Sequence, residues 1–149
     1  MAIAVIALAY TTPGLAHVVS STGYVYYTVL GNCTVDIADL GHGAYWGVTV
    51  WSLKYGNGQA CGVNRTVAAG WMSSQRQWLR WNGSTSISCT SWFVYYSTSS
   101  GYLFTRTGDG VDPPCGYSGN YKNNTSAWVW DGSAWRRGAL ASPAHYQPS

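Results

Sequence analysis

No stretch of this 149-residue chain repeats apolar residues at i, i+3, i+4 and i+7 for three turns, whereas two-residue alternation recurs along it. Cys33, Val35 and Ile37 share one face of a strand, with Thr34 and Asp36 on the other. Ile87, Cys89, Phe93 and Tyr95 alternate with Ser88, Thr90 and Val94. Residues 24–30 and 45–53 are apolar on both faces, as central strands are. Residues 77–81 and 127–130 are short aromatic strands. Asn57-Gly58, Asn82-Gly83 and Asp131-Gly132 lie between such runs and predict hairpins of type I′, whose two central residues take positive φ. The motif Trp-Asn/Asp-Gly-Ser recurs at Trp81 and Trp130, too briefly for a propeller or solenoid. Residues 101–124, rich in Gly, Pro and Asn, predict a long surface loop around Asp112-Pro113-Pro114-Cys115. Pro143 and Pro148 mark a tail without regular structure. The pattern predicts an all-β, antiparallel β-sandwich of immunoglobulin-like size, with a small β-barrel as the alternative.

The surface of such a domain is unusual. Only 9% of residues are charged, against roughly 25% in an average soluble domain. All five acidic residues are Asp. Nine Trp and twelve Tyr supply nearly all the aromatic content. Low charge with many aromatics excludes a disordered tail. The scarcity of Glu, Lys and Leu excludes a coiled coil. A net charge of +3, spread along the chain, excludes a polybasic arm.

The first ten residues, MAIAVIALAY, suit the apolar core of a secretory signal and are far too short for a membrane span. Gly14-Leu15-Ala16 offers small residues at the positions a signal peptidase reads, which predicts cleavage after Ala16. No Lys or Arg precedes the apolar run. The expected organisation is a signal segment at 1–16, an extended arm at 17–23 and one domain at 24–149, secreted and without a membrane anchor. Cys33, Cys61, Cys89 and Cys115 are even in number, widely spaced and in no metal-binding pattern, so two disulfides are expected. Of the three possible pairings, Cys33–Cys61 with Cys89–Cys115 is preferred; loops of that size each contribute about 3 kcal/mol.

Catalytic sets are scarce, and no catalytic residue, metal or cofactor is assigned. Asp36 and Asp39, three apart on a strand, point to opposite faces and make a poor acid–base pair. Asp131 and Asp109 belong to turns, and Ser118 lacks the G-x-S-x-G setting of a nucleophile. His17, His42 and His145 have no mutual metal-ligand spacing. His42, in Gly41-His42-Gly43, reads as part of a tight turn. After cleavage, His17 would be the N-terminal residue, whose amine and imidazole chelate copper if another histidine stands nearby. A binding protein fits better, because Tyr, Trp, Ser, Gly and Asn are the residues that binding surfaces favour. Trp78, Trp128 and Trp135 are the candidate surface aromatics, while Trp46, Trp51, Trp78 and Trp92 also compete for core positions. A glycan is one ligand class. Single-stranded nucleic acid on a face of Arg76, Trp78 and Arg80 is ranked last, because an exported protein rarely meets it.

The order Cys33, Gly41-His42-Gly43, Cys61, Trp81-Asn82-Gly83-Ser84, Cys89 and Trp92, then Pro114-Cys115-Gly116, residues 129–135 (VWDGSAW) and His145, resembles small secreted proteins of filamentous soil actinobacteria. These are the adaptor subunits of umbrella toxin particles. Around the His-Gly motif this chain has Asp36, Asp39 and residues 41–46 (GHGAYW) where the family is expected to have an acidic residue and a Gly-rich run. The resemblance implies a non-enzymatic adaptor. It would join a lectin-bearing subunit with a trypsin-like domain to the stalk of a large secreted toxin with Ala-Leu-Phe-rich repeats. It also implies an N-terminal arm in the partner's cleft, matched here by His17, Val18, Val19, Ser20, Ser21, Thr22 and Gly23. That segment has β-branched residues, no Lys, Arg, Asp or Glu and no proline, which suits strand addition; it suits equally the first strand of the domain's own sandwich. A stand-alone carbohydrate-binding module is the alternative reading, and a small secreted hydrolase the third.

Overall fold

The computed structural model describes residues 18–27, 32–55, 61–110 and 113–148, with no side-chain detail for residues 22–27. The signal segment, His17, Asn57-Gly58 and Asp112 lie outside the described residues. Among the described residues eleven strands run β1 (Val18–Tyr27), β2 (Asn32–Gly41), β3 (Tyr45–Tyr55), β4 (Cys61–Asn64), β5 (Met72–Trp81), β6 (Ser86–Ser88), β7 (Phe93–Tyr96), β8 (Leu103–Asp109), β9 (Gly119–Trp130), β10 (Trp135–Ala141) and β11 (His145–Gln147). They form two packed antiparallel sheets and no closed barrel. The first has the order β1-β2-β3-β4, with β8 also on β3; the second has the order β10-β9-β5-β6, with β11 on β9 and β7 on β5.

The disulfides are Cys33–Cys61 and Cys89–Cys115, as preferred from the sequence. The first ties the start of β2 to β4, and the second ties the β6–β7 connection to the loop before β9. Such bonds belong to an oxidising environment. No described helix is long and apolar enough to cross a membrane.

Several local expectations differ from the structure. Residues 24–30 were expected to form a central strand, but β1 is an edge strand of the first sheet and its end at Tyr27 precedes undescribed residues. The segment expected as an arm at 17–23 is, from Val18 onward, part of β1: Val18 pairs with Gly41 and Thr22 with Ile37, in a register continuous to Tyr27. There is thus no break between arm and domain at residue 23. The Gly-rich region 101–124 contains β8 and the start of β9, leaving a shorter loop. The tail contains β11, held by pairing to residues 119–121 of β9. The hairpin turns at 82–83 and 131–132 have positive φ at Gly83 and Gly132 but not at Asn82 or Asp131, so they are not type I′. Instead Asn82 Oδ1 accepts from the Ser84 and Thr85 amides, and Asp131 Oδ1 from Ser133 and Ala134. These side-chain caps do locally what a second positive-φ residue does in a type I′ turn.

The interior is partly polar. The alternation on β2 is as expected, but its Thr34 and Asp36 face turns toward the second sheet. There Thr125 Oγ1 of β9 lies 2.9 and 3.0 Å from the two Asp36 carboxylate oxygens. Asn123 Nδ2 donates to the carbonyls of Asp39 and Gly47 at 3.0 and 2.8 Å. Burial pushes the Asp36 carboxyl up to about 7, against the lowering effect of the bonds from Thr125 and the Ala127 amide. Cys33 and Val35 occupy the opposite face, packed with Leu53 in a small cluster of their own. The main apolar core holds Leu40, Ala44, Trp46, Val48, Trp78 and Tyr121, beside a second cluster of Val50, Val67, Met72, Ala127 and Val129. Gly108 stands opposite Trp46 because a Cβ there would come within 2.8 Å of the indole.

Candidate binding site

Strand register decides which aromatics meet solvent. Along β5 and β9, Met72, Ser74, Arg76 and Trp78 pair with Val129, Ala127, Thr125 and Asn123. These residues face the first sheet. Trp78 is therefore buried, 3% exposed, with its ring edge-on to Tyr121. This corrects the expectation that Trp78 lies on the surface. Arg76 and Trp78 do share a strand face, but it is an interior one: the Arg76 guanidinium lies 3.9 Å from the Trp46 ring centre, 5.1 Å from Trp78 and 4.8 Å from Phe93. Burial lowers its pKa, while a hydrogen bond with the Tyr95 side chain acts the other way. Trp46 is buried as well, Trp51 is half-buried and Trp92 is exposed.

The alternate residues form the outer face of the same sheet. Arg137, Trp128, Ser73 and Tyr96 line up across β10, β9, β5 and β7 through successive pairings. Trp135 pairs with Trp130 in the adjoining row. Trp135 bridges the aromatics edge-to-face, with ring centres 5.8 Å from Trp130 and 6.3 Å from Tyr96. Trp135 and Tyr96 are exposed, while Trp128 is half-buried. Arg137 lies over the Trp128 ring at 5.4 Å and donates to Ser126 Oγ at 3.1–3.2 Å. The two tryptophans expected on the surface, Trp128 and Trp135, thus meet on one wall-and-floor arrangement.

Between them is a cavity of about 160 Å³, lined by Ser73, Gln75, Tyr96, Trp128 and Trp135. Two polar atoms in this region, Ser73 Oγ and Trp128 Nε1, are buried and have no hydrogen-bond partner. A buried indole N–H or hydroxyl without a partner costs about 1–3 kcal/mol. Ser73, Gln75, Tyr96, Trp130 and Arg137 were not singled out from the sequence. Once Trp128 is fixed as outward, parity along β5, β9 and β10 assigns most of them.

The other candidates are dispersed. Asp36 faces inward, whereas Asp39 accepts a hydrogen bond from Ser20 Oγ on β1. Asp131 is the cap of its turn and pairs with Arg136. Its carboxyl is held far below the usual range, first by the Ala134 amide and also by Arg136 and Ser133. His42 and His145 are brought together, with ring centres 4.5 Å apart. Among the described residues no group of three or more His, Cys, Asp or Glu is arranged to hold a metal ion. No known protein family matches the chain, and no curated protein or solved structure matches it.

Proposed function

We propose that this protein is an extracellular binding module whose ligand surface is the aromatic outer face of the second sheet, and that the ligand is a saccharide. The observation that carries this reading is the cavity between Tyr96, Trp128 and Trp135, with unpartnered Ser73 Oγ and Trp128 Nε1 beside it. A sugar offers an apolar ring face to stack on an aromatic, and hydroxyls that accept from an indole N–H and exchange bonds with a serine. Gln75 adds an amide donor and acceptor at the same cavity. The few ions nearby leave recognition to stacking and neutral hydrogen bonds. The test is a glycan array probed with the purified protein, followed by Trp135→Ala and Trp128→Ala. Binding by the wild type that is lost in both variants supports the reading. No binding across the array, or binding unchanged in both, contradicts it.

A second reading is the adaptor, and β1 favours it. Its one described pairing is with β2, which leaves it at the edge of the first sheet, where a partner strand adds by main-chain hydrogen bonds. On this reading the edge of β1, through residues such as Val18, Val19, Ser20, Ser21 and Thr22, takes up a strand from a lectin-bearing subunit or from a toxin stalk. Affinity purification from culture supernatant with mass spectrometry tests it. Recovery of a trypsin-like or Ala-Leu-Phe-repeat protein supports the adaptor, and its absence opposes it.

A further inference from the structure

The second sheet carries another cavity at its far end. It has a volume of about 430 Å³ and lies where β5 turns into β6 and β9 begins, lined by Arg80, Trp81, Ile87, Gly119 and Asn120 together with the hairpin turn at 82–83. Among the described residues no acidic side chain lines it, and Arg80 brings a cation to it. A second cation stands alongside, with Lys122 Nζ 3.8 Å from the Trp81 ring centre. Neither Arg80 nor Lys122 is paired with a carboxylate among the described residues.

Arg80 is exposed, and its guanidinium lies 5.6 Å from the ring centre of Tyr117, in the loop before β9. Gly119 leaves one edge of that guanidinium bare. A Cβ at position 119 would stand 3.6 Å from Arg80 Nε and 3.9 Å from Nη2, in contact with both. Nε and Nη2 form the edge with which an arginine grips a carboxylate through two parallel hydrogen bonds. The cavity thus joins an apolar wall to a cation whose carboxylate-binding edge is uncovered.

This end and the Trp128–Trp135 cavity share one face. Trp81 pairs with Asn120 and Ser73 with Trp128, in an unbroken register. These pairs are eight residues apart on each strand, an even number, so Trp81 and Asn120 fall on the outer face with Ser73 and Trp128. At the rise of an antiparallel strand the two ends are about 27 Å apart. Gln75, Gln77 and Asn124 have the same parity and set neutral amides between them; Gln77 Nε2 donates to the Thr90 carbonyl at 2.8 Å.

We infer, resting on the saccharide reading above, that the ligand is a linear acidic glycan. One sugar occupies the cavity at Trp128 and Trp135, and a uronate unit further along the same chain places its carboxylate on Arg80, with Lys122 and the Trp81 indole beside it. Neutral hydroxyls are read at one end of the face and charge at the other. The test is calorimetric titration of the full chain with oligomers of galacturonate, hyaluronan and alginate, each beside its carboxyl-reduced, uncharged form. At least one acidic chain should bind about tenfold or more tighter than its reduced form, and Arg80→Ala should bring the two forms to equal affinity. In the wild type, added salt should weaken binding of the acidic chain and not of the reduced one. Long oligomers should bind more tightly than the corresponding disaccharide, which is too short to reach both ends. No preference for any acidic chain, a preference that survives Arg80→Ala, indifference to salt, or a disaccharide that binds as tightly as the long oligomer would overturn the inference. Reduced chains that bind and are lost in Trp135→Ala, with no acidic preference, would refute the acidic glycan while supporting the saccharide reading. An acidic preference abolished by Arg80→Ala, with affinity untouched by Trp135→Ala and Trp128→Ala, would refute the aromatic cavity and with it the spanning chain.

Discussion

Arg76 and Arg137 each lie over a tryptophan of the second sheet, on opposite faces of it. On the inner face Arg76 is 5% exposed and enclosed by Trp46, Trp78 and Phe93, with Nε and Nη1 unpartnered. On the outer face Arg137 is exposed, donates to Ser126 and leaves the Trp128 indole at an open cavity. The chemical pairing is the same, but its consequence differs. Inside, the aromatic rings replace the solvent that a buried cation has lost, so the arrangement serves the fold. Outside, the cation and the ring are available to something else. A residue's parity on its strand, rather than its type, separates a core tryptophan from one on the outer face.

The largest effect that sharpens this comparison is expected at Trp78. Replacing it with alanine empties a buried site and should cost about 3–5 kcal/mol in urea unfolding. The equivalent change on the outer face, Trp135→Ala, should cost less than about 1 kcal/mol while removing ligand binding. Equal destabilisation at the two positions would erase the distinction drawn between the faces.

Next in size is Asp36, which tests whether the inner face is a polar interior rather than a reserve site. Its folded-state pKa of about 7 lies above the ordinary 3.8, so the folded chain keeps a proton that the unfolded chain releases between these values. The sign follows from linkage: this group's contribution is fully present below about pH 4, declines as pH rises towards 7 and is flat above that. The shift corresponds to at most about 4 kcal/mol. Asp36→Asn should flatten that decline and be more stable than the wild type at pH 8, measured by denaturant unfolding across pH. A wild-type profile parallel to that of the variant would refute the buried, protonated carboxyl.

The smallest expected effect is at Arg137. Arg137→Ala should change stability by less than about 0.5 kcal/mol, because the side chain is exposed, but should weaken ligand binding by flattening one wall of the aromatic face. Urea unfolding and a binding titration read the two quantities separately.

These contrasts also define what the sequence made legible. The strands were visible because alternation and turn residues are local signals; four cysteines allow three pairings, and the preferred one, Cys33–Cys61 with Cys89–Cys115, is the one found. Of the aromatics singled out, Trp135 is exposed and Trp128 half-buried on the outer face of the second sheet. Trp78 was not distinguishable from them, because alternation gives two faces without saying which one meets the other sheet. On β2 the Cys33 and Val35 face packs into a cluster of its own with Leu53, while Asp36 on the other face finds its partner Thr125 on β9, some ninety residues away in the chain. The pairing of His42 with His145 was equally hidden, because β11 is three residues long and its place depends on pairing with β9. Segments 17–23 and 24–30 read as arm and central strand because main-chain pairing partners leave no local trace.

The central claim is that the ligand binds at Trp128 and Trp135 on the outer face. The most direct test is an NMR titration of the indole N–H signals with the saccharide selected on the array. The account predicts that Trp128 and Trp135 shift saturably, with Trp128 moving most because its N–H gains a partner, while Trp46 and Trp78 stay in place. Shifts confined to other tryptophans, or no indole shift at saturating sugar, would contradict it.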